Sequence, residues 1–447
     1  MENLALMTDL YELTMAAAYY KDKHFAPATF SLFIRDYPPH RGYFVCAGLK
    51  DVLDFLEFFQ FSLDDLEYLD GLNRFSRDFL GFLEHLRFTG DVFAMAEGRL
   101  FFRDEPVLEV TAPVIEAQLI ESLIINIMNL SISIATKAAR CVHAAGGRHL
   151  VDFSMRRTHG TDAALKVARS SYLAGFDGTS NVMGAREYGI PVSGTMAHSF
   201  ITSYERELDA FRAFADTFPE STVLLIDTYD TVEGARKAAV IAGELAGEGH
   251  GLVGVRLDSG DMADLSKKVR KILDDEGLRD VQIFASGNYD EYKVSEVLKQ
   301  GAKIDAFGIG TKLGTSADAP YTDMAYKLVQ YDGRPVLKLS TGKKTLVSEK
   351  QVFRSRRGDR ITGDVIALRQ EKGEGEPLLK QVMRKGVRED GGESLGDIRE
   401  RFKEEFARLD DRYKSIRDPE HFPVTLSPEL ERLQDRVTEE VKRKESG

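Results

Sequence analysis

The sequence predicts an α/β protein whose centre is an irregular parallel β/α barrel. Three observations predict it. Short apolar runs alternate with amphipathic stretches through residues 114–320. The connections between them are short. A polar cluster follows nearly every apolar run. Repeated β–α units with short loops make the strands parallel, because each crossover returns the chain to the same end. Seven or so units favour closure over an open sheet, although periodicity alone leaves an open doubly wound sheet as the alternative.

The elements justify this in order. Residues 1–113 form a first segment, with an amphipathic start and strand candidates at Ala28–Ile34 and Arg99–Val110. Val114–Ala139 is the most apolar long stretch. Glu116, Gln118, Glu121, Asn126 and Asn129 interrupt it, so it reads as a buried helix rather than a membrane span. Strands are then expected at His149–Phe153, Ala174–Phe176, Pro191–Val192, Thr222–Ile226, Leu252–Leu257, Val281–Ala285 and Ile304–Phe307. Helices are expected at Thr231–Ala246, Met262–Asp275 and Tyr289–Gln300. Residues 321–447 open with a hairpin, Ala325–Gln330 and Pro335–Ser340 around Asp332-Gly333, and end in a charged helical tail.

Bulk properties exclude several classes. With 43% hydrophobic and 30% charged residues over 447 positions, the chain folds around a large core. A net charge of −12 argues against a general nucleic-acid surface, while leaving room for a local basic pocket. Two cysteines, Cys46 and Cys141, supply neither a disulfide framework nor a zinc site and suit a reducing compartment. The start, MENLALMTDLYEL, lacks the features of a signal peptide, so a cytoplasmic protein is expected.

The polar clusters carry the chemistry. They are Ser154–Arg157, Asp177–Thr179, Gly194–His198, Asp227–Asp230, Asp258–Asp261, Ser286–Asn288 and Gly308–Thr311. In a parallel barrel they converge on one rim, where active sites of that fold are built. Gly308 and Gly310 let backbone N–H groups approach a phosphate, and Thr311 adds a hydroxyl. Ser286, Gly287 and Asn288 offer matching donors one strand earlier. Arg256 suits a carboxylate or phosphate. Asp258 and Asp261 can hold ribose hydroxyls or a hydrated Mg²⁺. His198, among small residues, is a candidate nucleophile toward a phosphoryl group. Glycine, serine and aspartate also make ordinary turns, and an isolated histidine is more often structural, so recurrence is the signal. The residues alone indicate a barrel enzyme acting on a phosphorylated, ribosyl substrate.

At these residues the chain resembles the nicotinate phosphoribosyltransferase family. The resemblance rests on Thr8–Met15, on GFDGTSNV at Gly175–Val182, and on GTMAHSF at Gly194–Phe200. It continues through VRLDSGD at Val255–Asp261, GIGT at Gly308–Thr311, Arg417-Asp418-Pro419 and Val424–Ser427. It implies an α/β sandwich domain built from the N-terminal and C-terminal segments beside the barrel. It further implies that ATP, as co-substrate, phosphorylates His198. Tyr11, Thr195 and Arg256 would lie around nicotinate, with Arg156 and Arg157 near the substrates. Thr311, with Gly308 and Gly310, would hold the 5-phosphate of phosphoribosyl pyrophosphate. A homodimer with shared active sites is also implied. One departure is visible: Val347-Ser348, within Lys344–Lys350, stands where the family often has a Pro-Gly turn.

Three other readings are weighed against this one. Nicotinamide-using relatives carry an acid where this chain has Ser180, and an acid there would repel nicotinate's carboxylate. Quinolinate-using relatives are much shorter. A non-catalytic sensor of phosphoribosyl ligands would not need His198 with Asp258 and Asp261.

Overall fold

A computed structural model describes residues 4–339, 345–389 and 391–445. The chain divides into two compact units, residues 134–320 and residues 1–133 with 321–447.

The unit of residues 134–320 carries a six-stranded parallel sheet. In spatial order its strands are Gly178–Thr179, His149–Asp152, Ala306–Ile309, Gln282–Ala285, Gly254–Leu257 and Val223–Leu225. Their apolar residues (Leu150, Val255, Ile283, Phe307, Ile309) are buried on both faces, as parallel strands covered by helices require. Val192 adds a single parallel bridge to Thr179 at one end. Among the described residues no strand pairing joins that end to Val223–Leu225, so hydrogen bonding traces an arc with two ends.

Helices return the chain between strands. Met262–Asp275 begins on Asp261, whose carboxylate accepts from the Ala263 and Asp264 amides, and Thr231–Gly247 begins on Asp230 in the same way. The expected strand Ala174–Phe176 is not one. Ala174 caps the helix Thr161–Leu173, Gly175 turns the chain, and Ala174 and Phe176 are fully buried sealing that helix end. Their apolarity reported burial, not extension. Pairing begins two residues later, at Gly178.

The other unit is built from both ends of the chain. Its seven-stranded antiparallel sheet has Pro27–Ile34 between Met324–Tyr331 and Leu108–Pro113, and Asp91–Met95 then carries Leu379–Arg384. A four-stranded sheet pairs Lys350–Arg357 with Arg360–Leu368. One apolar cluster, including Phe30, Leu108, Ile124, Val352 and Leu430, gathers residues from both sheets and the helices around them. The expected strand Arg99–Val110 is two, Leu100–Phe101 and Leu108–Pro113, because the chain turns between them at Asp104, whose φ is 67°. The second hairpin strand is only Arg334–Pro335, and Ser340 lies outside the described residues.

Val114–Ala139 falls on two helices, Val114–Leu119 and Glu121–Ala145. The second is long and apolar enough to cross a membrane by composition, yet 72% of its most apolar window is buried inside the protein. It is a core helix, and the division between the two units falls within it. At the departure from the family turn, Ser348 has φ 67°, the left-handed region that glycine occupies without strain. Val347 beside it is buried and its N–H donates to Gln434, while Lys344 is outside the described residues.

Candidate active site

The carboxyl ends of the parallel strands carry most of the predicted residues. His198 opens a five-residue helix, His198–Thr202, after the Val192 bridge. Its ring is 42% exposed, with Nδ1 3.0 Å from Thr228 Oγ1 and Nε2 4.0 Å from Asp227 Oδ1. Asp227 is held rigidly. Its Oδ2 accepts from the Asp258 N–H at 2.9 Å, the Ser259 N–H at 2.8 Å and the Ser259 hydroxyl at 2.7 Å. Its Oδ1 is buried without a hydrogen-bond partner and faces the imidazole. A threonine on one ring nitrogen and a carboxylate near the other fix the ring plane. The sequence placed Asp227 and Thr228 in a rim cluster but gave them no role.

Arg256 rises from the strand Gly254–Leu257. Its Nη2 donates to the Met196 carbonyl at 2.5 Å and its Nη1 to Ser286 Oγ at 3.3 Å, while Asp258 lies 3.8 Å away. Burial draws its pKa below the ordinary guanidinium value, against the pull of Asp258 and Asp227, and Arg156 adds like-charge repulsion. Its Nε is buried and unpartnered. A desolvated cation with an unused donor beside a second cation is suited to receive an anion.

Asp258 hydrogen-bonds the Ser286 hydroxyl, tying two strand ends together. Gly287 completes the contact. It has φ 102°, and a Cβ there would stand 2.1 Å from the Asp258 carbonyl oxygen. Gly287→Ala should therefore displace the Ser286–Asn288 loop and lower stability by about 1–3 kcal/mol, read by thermal unfolding. An unchanged melting temperature would show that the loop has room to move. Asn288 also takes a left-handed conformation. Lys293 reaches back to the Gly287 carbonyl at 2.9 Å, and Lys312 pairs with Asp290 at 2.6 Å, so two cations flank this loop.

The remaining predicted residues divide. Arg156 and Arg157 are exposed on a short 3₁₀ turn directly after the strand His149–Asp152. Ser180 and Thr195 are half-buried at the ends of neighbouring segments. Thr311 is exposed at the start of a single helical turn preceded by Gly310. Gly308 lies inside the last strand, where a Cβ would meet the Phe153 ring at 2.5 Å, so its lack of a side chain serves packing. Asp261 is exposed and has Oδ1 engaged as a helix cap. Tyr11 belongs to the other compact unit, half-exposed on the helix Leu10–Lys21. Burial, with Glu121, Glu12 and Asp9 around it, raises its pKa well above that of ordinary tyrosine.

Anion-seeking arginines, a clamped histidine and hydroxyl-bearing loops at the ends of parallel strands define an α/β enzyme of the kind that works at its strand carboxyl termini. Comparison with known proteins specifies which. Residues 6–129 match the nicotinate phosphoribosyltransferase N-terminal domain, residues 148–371 the family's central region and residues 372–434 its C-terminal domain. A nicotinate phosphoribosyltransferase of Mycobacterium tuberculosis is 46% identical over 98% of this chain and 95% of its own length. One from Bacillus subtilis is 37% identical over 95% and 93%. The crystal structure of human nicotinic acid phosphoribosyltransferase superposes with a TM-score of 0.87 at 28% identity, covering 96% of this chain and 99% of that one. The chain belongs to the nicotinate phosphoribosyltransferase family.

Proposed function

We propose that the protein transfers the phosphoribosyl group of phosphoribosyl pyrophosphate to nicotinate, giving nicotinate mononucleotide and pyrophosphate, with ATP hydrolysis coupled through His198. Family membership supports the transfer. The observation that carries the choice of an acid substrate is Arg256, desolvated, with an unpaired Nε and with Arg156 near it. The pyridine nitrogen attacks C1 of the ribose as the C1–O bond to pyrophosphate breaks. The nicotinate carboxylate is held by Arg256 with Arg156 and Arg157, and Ser180 and Thr195 offer hydroxyls beside them. The family resemblance adds Tyr11 to the residues around nicotinate. The Ser286–Asn288 loop and the Gly310–Thr311 turn after the last strand receive the phosphates.

Mg²⁺ belongs to the same reading. Among the described residues no three His, Cys, Asp or Glu side chains gather as a metal cluster, and Mg²⁺ commonly takes one or two carboxylates with substrate oxygens completing its shell. Asp258 and Asp261 would hold it, and when bound it would offset the charge of pyrophosphate. His198 accepts the γ-phosphoryl of ATP on an imidazole nitrogen as ADP leaves, and water later releases phosphate from it. Thr228 and Asp227 orient the ring for that step. A homodimer and a place in NAD biosynthesis belong to the same reading.

The test is a product assay with nicotinate, nicotinamide and quinolinate in parallel, each with and without ATP. Nicotinate should be converted far better than the other two, and ATP should raise its final product ratio. Equal use of nicotinate and nicotinamide would overturn the assignment of the arginines.

A further inference from the structure

We infer that Asp152, which no motif singled out, is the positioning residue that sets the shape of the pyridine-acid pocket. It is the last residue of the strand His149–Asp152 and is buried, at 1% exposure. Each of its carboxylate oxygens holds a different rim loop. Oδ1 accepts the Ser154 N–H at 2.9 Å, at the start of the turn that presents Arg156 and Arg157. Oδ2 accepts the Thr179 hydroxyl at 2.8 Å.

Thr179 extends the reach of that carboxylate. Its Oγ1 accepts the Asn181 N–H at 3.0 Å, while the Ser180 N–H donates to the Asp152 carbonyl at 2.8 Å. Ser180 is thus bracketed on both sides by groups anchored to one aspartate. Thr179 also bonds through its backbone to the segment leading to Thr195 and His198. Its N–H donates to the Pro191 carbonyl at 3.0 Å, and its carbonyl accepts from Ser193 at 2.9 Å. Three loops that carry predicted acid-binding residues therefore meet on the Asp152–Thr179 pair.

A carboxylate suits this arrangement. Two donors, one amide and one hydroxyl, converge on it, so both its oxygens must be acceptors. Asparagine offers one acceptor; with it on the Ser154 N–H, its NH₂ faces Thr179 Oγ1, which must then turn from donor to acceptor while also accepting the Asn181 N–H. Burial raises the Asp152 pKa, while the Ser154 and Thr179 hydrogen bonds pull it back toward the charged form. Neither carboxylate hydrogen bond of Asp152 reaches Arg256, Ser286 or Thr311, although its backbone pairs with Ile309, which leads into the Gly310–Thr311 turn.

This inference rests on the nicotinate reading, and the experiment separates the two. Asp152→Asn and Thr179→Val should each raise the KM for nicotinate about tenfold, since small misplacements of binding groups are costly. The KM for phosphoribosyl pyrophosphate should stay within about twofold of wild type. Thr179→Ser, which keeps the hydroxyl, should restore the nicotinate KM. The double variant should be no worse than Asp152→Asn alone, because both remove one shared interaction. Thr179→Val carries the test if Asp152→Asn fails to fold. An unchanged nicotinate KM in Thr179→Val, or both KM values rising together, would overturn the role of Asp152. A wild-type enzyme that ignores nicotinate would overturn the substrate reading instead. The same variants, assayed with whichever pyridine it accepts, would still decide the positioning role.

Discussion

Incubated with γ-labelled ATP, the protein should take up an acid-labile, base-stable phosphoryl group on His198, and His198→Ala should lose the label completely. His143→Ala and His159→Ala should keep it. The expectation follows from an accessible ring whose nitrogens face Thr228 and Asp227, the latter locked by three donors on its other oxygen. Bond formation at C1 does not itself need a phosphoryl group on the imidazole. His198→Ala should therefore retain slow nucleotide synthesis from the positioning groups that remain, now insensitive to ATP. ATP hydrolysis that persists in step with product formation in this variant would remove histidine from the coupling mechanism and leave the family assignment untouched.

The second large effect concerns Arg256. Arg256→Gln should lower kcat/KM for nicotinate by about 10- to 100-fold, the scale of one or two lost charge-assisted hydrogen bonds. Any residual use of nicotinamide, which carries no carboxylate, should fall much less. The guanidinium also donates to the Met196 carbonyl, so thermal unfolding of the variant should be recorded alongside. A parallel fall for the acid and the amide would mean that Arg256 supports the Met196 segment and does not read substrate charge.

Much of this site could be read along the chain, and the exceptions share a cause. The helix Met262–Asp275 matched the sequence expectation because amphipathic spacing and an aspartate before the first turn are both local signals. The same local signal explains Asp261, which caps that helix while also standing in the rim motif. Asp227 and Thr228 stood in a rim cluster without a role because Asp-Thr-Tyr-Asp is an ordinary strand-to-helix turn, and only the fold brings it against His198. Asp152 was read only as part of an apolar strand. A lone acid ending an apolar strand is unremarked until its two oxygens are seen to face Ser154 and Thr179. Ala174–Phe176 shows the opposite failure, a local apolar signal whose meaning was set by packing.

The helix Glu121–Ala145 carries a further consequence. In its second half Lys137 and Arg140, one turn apart, meet a single buried carboxylate, Glu291, at 2.5 Å and 2.8 Å, and Lys137 also pairs with Asp318 at 2.7 Å. Burial works against the Lys137 charge, but Glu291, Cys141 and Asp318 outweigh it and raise its pKa, so the cation persists through neutral and mildly alkaline conditions. Apolar surfaces slide past one another at little cost, whereas this cluster works like a key cut for one lock. Moving the helix along its axis by a turn would leave buried charges facing hydrocarbon, a penalty of several kcal/mol. The Glu291 helix follows directly on the Ser286–Asn288 loop, so the same key indexes the long helix against the segment that leads into the rim.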